Sequence, residues 1–227
     1  MNHWEMSQVA HMCERALGMT VRQVTDPDEV KEILARMEKG FLSPVLDPAK
    51  NDFTPANSFW LVGERGGEPV LAGGVRLDDL RHLDVRSYWG RMLERTFEQA
   101  PVPHRATFPS DLLFGKVAYF GDLLSRGSAG LGKGGRDKLR LFTGIGHYLT
   151  QAEFSPDVTY CFLRDQDVMR GTHNVYGFME ICPFMYRWDS DPYPSGFPEW
   201  IACTRQGQFP QLMESLRRFT EESAHNN

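Results

Sequence analysis

The sequence predicts an α/β fold, with one central sheet of short apolar strands and helices packed against it. Three observations lead there. Apolar runs of strand length (Phe59–Glu64, Val70–Leu77, Val117–Leu124 and Val158–Leu163) alternate with stretches whose apolar residues recur at helical spacing. A glycine-rich turn, Arg126–Gly135 (RGSAGLGKGG), joins the third of these strands to a helical stretch from Arg136 to about Gln151. The chain has 227 residues, long enough to bury one substantial core, and one domain over 1–227 is the economical organisation.

Taken in order, Val24–Gly40 enters a helix at Asp26-Pro27, carries Val30, Ile33, Leu34 and Met37 on one face, and stops at glycine. Phe59–Glu64 (FWLVGE) and Val70–Leu77 (VLAGGVRL) form a hairpin across Arg65-Gly66-Gly67. A helical insert at about 81–111 follows. Within it Val85–Gln99 sets Tyr88, Met92, Leu93 and Phe97 on or near one face, and Pro101, Pro103 and Pro109 bend the chain. Two readings of the insert stand: a packing elaboration, or a wall of a substrate pocket. Val158–Leu163 has the β-branched and aromatic content of a buried strand. Asp189–Pro198 is turn-forming, Glu199–Thr204 is a last strand, and a closing helix at about 209–223 buries Phe209, Leu212, Met213, Leu216 and Phe219.

Composition narrows the function classes. The net charge of −5 is spread along the chain, which argues against a nucleic-acid binder and is compatible with a positively charged amine substrate. The start lacks the basic and apolar regions of a signal peptide, and no run has the roughly 20 apolar residues of a membrane span. Cys13, Cys161, Cys182 and Cys203 lack paired or metal-like spacing, so a reducing cytoplasm with free thiols is expected. Cys161, inside a strand, reads as a small hydrophobe. His104, His147 and His173 share no ligand spacing, and no metal is expected.

The glycine-rich turn is the strongest functional signal. A strand-to-helix turn of this kind leaves backbone N–H groups at the positive end of the helix, a ready site for a pyrophosphate. Gly127 to Lys133 fits the GxxxxGK part of a nucleotide-binding P-loop, but Gly134 stands where Ser or Thr would ligate Mg²⁺. The second reading is an acyl-CoA site. Arg126 with Gly130-Leu131-Gly132 resembles the Arg/Gln-x-x-Gly-x-Gly/Ala signature of the GCN5-related N-acetyltransferase (GNAT) superfamily, with one extra residue before the first glycine. The fragment WLVGERGGEPVLAGGVRL resembles that superfamily's central hairpin. Asn174-Val-Tyr176-Gly177-Phe178 resembles its late Tyr…Gly-Phe motif. Gly73-Gly74-Val75-Arg76-Leu77 is also similar to a strand end of the acyl-homoserine-lactone synthase branch, whose N-terminal Arg, Phe and Trp cluster this chain lacks.

The resemblance implies a mixed, mostly antiparallel, splayed sheet. It also implies transfer of an acetyl or other acyl group from acyl-CoA to an amine of a small molecule or peptide, by direct attack in a ternary complex. Acetyl-CoA or another acyl-CoA is then the cosubstrate, and a homodimer is compatible with the reading. The implied binding residues are Leu123, Leu124, Ser125, Arg126, Gly130, Leu131, Gly132, Lys133, Gly134, Gly135, Arg136 and Asn174. Arg136 and Arg140, one turn apart, reach the 3′-phosphate of CoA or face solvent. The backbone near Leu123–Ser125 offers an N–H to the thioester carbonyl. An amine acceptor must lose a proton, for which Asp122 is the first candidate base and Glu180 the second; Tyr176 is the candidate acid for the leaving thiolate. Two other readings stay open: a P-loop-like phosphate binder, and a non-catalytic acyl-CoA-binding domain.

Overall fold

A computed structural model describes residues 1–103, 112–126, 134–188 and 200–225. Asn2 caps α1 (His3–Leu17) with a reciprocal bond to Glu5, and Gly18 closes it in the left-handed conformation. Then come β1 (Thr20–Val24), α2 (Pro27–Arg36), β2 (Ser58–Arg65) and β3 (Glu68–Asp79). α2 begins as the sequence indicates, with Pro27 at its first turn behind the Asp26 cap, but it ends at Arg36. α3 (Val85–Phe97), β4 (Val102–Pro103), β5 (Lys116–Ser125), α4 (Gly135–Phe154) and β6 (Val158–Leu163) follow. Two short helices, α5 (Asp165–Met169) and α6 (Thr172–Val175), lead to β7 (Glu180–Pro183), β8 (Tyr186–Arg187), β9 (Trp200–Arg205) and α7 (Phe209–His225).

Among the described residues these strands build a seven-stranded sheet in the order β1-β2-β3-β5-β6-β9-β7, and β4 pairs with β8 separately. All neighbours in the large sheet are antiparallel except β5 and β6. The fold class is therefore the expected one: a mixed, mostly antiparallel sheet with helices on both faces.

The parallel pair is short. Val117 faces Val158, Ala118 faces Thr159 and Tyr119 faces Tyr160, and no further pair forms although both strands continue. The sheet splays at this point. Backbone groups of β5 from Phe120 onward that point toward β6 are left without a strand partner on that side, and buried backbone groups require partners.

Apolar clusters on the two faces hold the sheet in place. On one face Leu61, Val70 and Leu71 pack with Cys13 and Leu17 of α1, Phe142 and Ile145 of α4, and Met213 and Leu216 of α7. Gly146 lets α4 sit close to β5, because a Cβ there would collide with the ring of Phe120. On the other face Val30, Ile33 and Leu34 of α2 meet Trp60 and Val62, while Trp89 of α3 meets Tyr160 and Phe184. The insert therefore contributes to the core through α3.

The segment between α2 and β2 has no helix or strand of its own and is tied down by Arg76. Its guanidinium donates to the Val45 carbonyl (3.2 Å) and Asn51 Oδ1 (2.9 Å), and pairs with Asp78. Arg76, the charged residue of the Gly-x-x-Arg-Leu strand end, is thus a clasp for this segment.

Candidate active site

A cavity of about 260 Å³ opens where β5 and β6 diverge. Its walls are Tyr119–Leu123 of β5, Cys161–Arg164 at the end of β6, Asp167 of α5, Tyr176 just past α6, and Phe41 and Ser43 from the clasped segment. Five parts of the chain, distant in sequence, meet there.

The β5 wall carries a bulge. Gly74 faces Gly121, whereas Ala72 faces Leu124, so one extra residue of β5 lies between these pairs. Asp122 absorbs the irregularity with φ +53, a left-handed conformation that Asp tolerates better than most side chains. Its carboxylate turns to the clasped segment, where Oδ1 meets the Lys39 ammonium at 3.1 Å and Oδ2 accepts the Ser43 N–H at 3.0 Å. Both side chains of this ion pair are nearly enclosed, 9% exposed for Lys39 and 11% for Asp122. Burial pushes the Asp122 carboxyl above its ordinary value, while Lys39 and the Ser43 amide pull the other way. Asp122 therefore lines the cavity, and both its oxygens are engaged.

On the β6 side, Tyr176 is half-buried and follows α6. Burial, with smaller contributions from Cys161 and Asp167, pushes its phenol up to about 12, so it holds its proton throughout the neutral range. Its carbonyl accepts a bond from His147 Nε2 at 2.8 Å. His147 lies edge-on to Phe120 and Phe178, and burial lowers its pKa to about 4, which keeps the imidazole neutral. Asp167 pairs with Arg164 at 2.9 Å. The Cys161 thiol is pushed well above its usual range by burial, so it stays protonated and unreactive, as a buried structural thiol does.

The remaining expected site residues are divided. Leu123 lines the cavity; Leu124 and Ser125 continue the strand against Ala72 and Leu71. Arg126 donates its N–H to the Val70 carbonyl (3.0 Å) and pairs with Glu68 at 3.4 Å. Gly134, at φ +81, stands directly before α4, Gly135 is its first residue, and no side-chain bond caps this end among the described residues. The Arg136 guanidinium donates to the Arg170 carbonyl (3.0 Å). Gly130, Leu131, Gly132 and Lys133 lie outside the described residues, as does Gly127.

Two of the expected site residues lie outside this cavity. Glu180 lies on β7, outside the cavity, where Arg205 (3.0 Å) and Gln208 (2.7 Å) hold its carboxylate; the β9 pairing of β7 directs it there. Asn174 lines a separate cavity of about 200 Å³ with Arg140 and residues of α7, because α6 turns that side toward α4. Arg140 stacks its guanidinium over Phe219 at 4.7 Å.

Sequence reasoning missed Lys39, Phe41, Ser43, Arg164 and Asp167. The Arg164-x-x-Asp167 spacing was a readable signal for an ion pair. Nothing in the sequence links Lys39 or Ser43 to Asp122, since Ser43 and Asp122 are 79 positions apart. Among the described residues no group of three or more His, Cys, Asp or Glu side chains is arranged to hold a metal ion. No helix there is long and apolar enough to cross a membrane.

No family model matches the chain, and no curated protein matches it. Solved structures do resemble it. An uncharacterized protein from Bacillus halodurans has 12% identity over 89% of this chain and 91% of its own, with a TM-score of 0.50. The polyamine N-acetyltransferase of Drosophila melanogaster has 11% identity over 82% of this chain and 99% of its own, with a TM-score of 0.48. An acetyltransferase of the GNAT family from Streptococcus agalactiae has 14% identity over 83% and 95%, with a TM-score of 0.43. At 12% identity the likeness to the Bacillus halodurans protein is one of fold alone. The mixed, mostly antiparallel sheet, splayed at its one parallel pair, is the arrangement the sequence analysis expected.

Proposed function

We propose that this chain, as one domain over residues 1–227, transfers an acetyl or other acyl group from acyl-CoA to an amine by direct attack in a ternary complex. The observation that carries the reading is the cavity at the splay of β5 and β6, with the β5 bulge on one wall and the protonated Tyr176 on the other.

The residues present fit an acyl-CoA cosubstrate. Backbone groups of β5 beyond Tyr119 face the cavity without a strand partner and suit the amide-rich pantetheine arm. The start of α4 behind Gly134 suits its pyrophosphate. Acyl-CoA supplies an activated thioester. The backbone near Leu123 donates to the thioester carbonyl, where preorganised donors are most effective. Tyr176 gives its proton to the departing sulfur, and the His147 bond to its carbonyl orients it.

The base role moves from the two sequence candidates. Asp122 is engaged on both oxygens, and Glu180 lies off the cavity. Asp167 lines the cavity beside Tyr176 and takes up the amine proton, directly or through water.

The test is a thiol-release assay with acetyl-CoA and a panel of amines: alkylamines, arylalkylamines, polyamines, amino acids and peptide N-termini. Amine-dependent CoA release that is lost in Tyr176→Phe supports the reading. Acetyl-CoA binding without turnover of any amine supports a non-catalytic acyl-CoA-binding domain instead.

A further inference from the structure

The ion pair beneath the β5 wall has no part in the transfer as described so far, yet it joins two parts of the cavity. We propose that Lys39 is a positioning residue: by holding Asp122, it fixes the β5 bulge and the segment carrying Phe41 and Ser43 in one arrangement around the thioester. This inference rests on the acyl-transfer reading.

Three observations carry it. First, Asp122 sits at φ +53, a conformation that costs a non-glycine residue free energy and persists only where its surroundings hold it. Beside the β3 pairing on either side, its carboxylate is held by the Lys39 ammonium at 3.1 Å and the Ser43 N–H at 3.0 Å. Second, both partners come from the stretch after α2, which contributes no strand to the sheet and bonds to β5 at this carboxylate. Lys39 is itself anchored, since its N–H donates to the Leu34 carbonyl of α2 at 3.1 Å. The tie therefore runs from a helix, through an enclosed ion pair, to the bulge. Third, Ser43 lines the same cavity, and its Oγ is buried without a partner among the described residues. A buried polar group is nearly always satisfied, so this hydroxyl marks the tied segment as a wall awaiting a ligand group.

The consequence is a division of labour among the carboxylates. Asp122 shapes the wall, and its charge stays with Lys39. Removing the ammonium leaves a carboxylate enclosed without its counter-charge, which loosens both segments it joins.

The experiment has two parts, each on wild type, Lys39→Met, Lys39→Arg and Asp122→Asn. Amide hydrogen exchange without ligand reads the tie. Lys39→Met and Asp122→Asn are expected to speed exchange at least fivefold in both 38–46 and 120–125, leaving β9 and α7 unchanged, while Lys39→Arg stays near wild type. Calorimetric titration with acetyl-CoA and with desulfo-CoA, which lacks the thioester, reads the positioning. Wild type is expected to prefer acetyl-CoA, and Lys39→Met to reduce that preference at least fivefold.

Exchange that rises in only one of the two segments, or across the whole sheet, overturns the tie. A preference that survives in Lys39→Met overturns the positioning role even where exchange has risen. Wild type that does not bind acetyl-CoA overturns the acyl-transfer reading and the positioning role with it. Exchange, read without ligand, tells that result apart from failure of the tie.

Discussion

In the proposed transfer, Tyr176 is the residue on which the chemistry turns. With its phenol pushed up to about 12, it carries a proton throughout the neutral range, as an acid for a thiolate must. Tyr176→Phe is predicted to lower kcat by about 10²–10⁴, the usual worth of one general acid, with the acetyl-CoA KM changed by no more than about twofold. Steady-state kinetics on the amine found by screening measures both.

His147, which supports Tyr176 from behind, makes a different prediction. Its folded pKa is about 4, against 6.5 in the unfolded chain. Between these values the unfolded state binds a proton that the folded state does not, so stability is complete above 6.5 and falls as pH falls toward 4. The loss is on the order of 3 kcal/mol. Urea unfolding at pH 7 and pH 4.5 measures it, and His147→Gln is predicted to shrink the difference between the two.

At the scale of elements the proposed site is the splayed pair with its bulge, and α4 packs closely against it. Gly146→Leu would drive a side chain into Phe120 on β5, where the α4 backbone lies close to the sheet. A loss of about 2–3 kcal/mol is predicted, and acetyl-CoA affinity is expected to fall in the folded fraction because Phe120 also lines the cavity. Thermal unfolding and calorimetry on the same sample separate the two effects.

At this scale much of the molecule could be read from the sequence. Phe59–Glu64, Val70–Leu77, Val117–Leu124 and Val158–Leu163 all lie within observed strands, because each is apolar and bounded by turn or polar residues. β7 was not separately readable, for Glu180–Pro183 is four residues long and ends in proline. β1 is half-exposed and mixes Arg22 and Gln23 with valines, so its strand character comes from pairing with β2. α1 carries the Asn2 and Glu5 capping pair in its sequence, a signal the reading did not use.

The candidate site was legible only where it was local. The Tyr176 motif and the β5 strand end are short patterns, and both reach the cavity. The ties of Asp122 to Lys39 and of Glu180 to Arg205 are made by tertiary contact, and no spacing encodes them.

The whole molecule brings its binding surface together from five stretches of chain around the one place where the sheet parts. A ligand bound there draws on all of them, so it stabilises the fold. Acetyl-CoA at about one hundred times its Kd is predicted to add roughly 2.7 kcal/mol, raising Tm by about 5–10 °C, with no such shift from ATP and Mg²⁺. A thermal-shift series across ligand concentration measures it.

The most direct test of acyl-CoA binding is calorimetric titration of the full chain with acetyl-CoA, and in parallel with ATP plus Mg²⁺. Saturable binding of one acetyl-CoA per chain, with no heat from ATP, is the predicted result. Mg²⁺-dependent ATP binding that disappears in Lys133→Ala, with no acetyl-CoA binding, would contradict it and assign the glycine-rich turn to a P-loop-like phosphate binder.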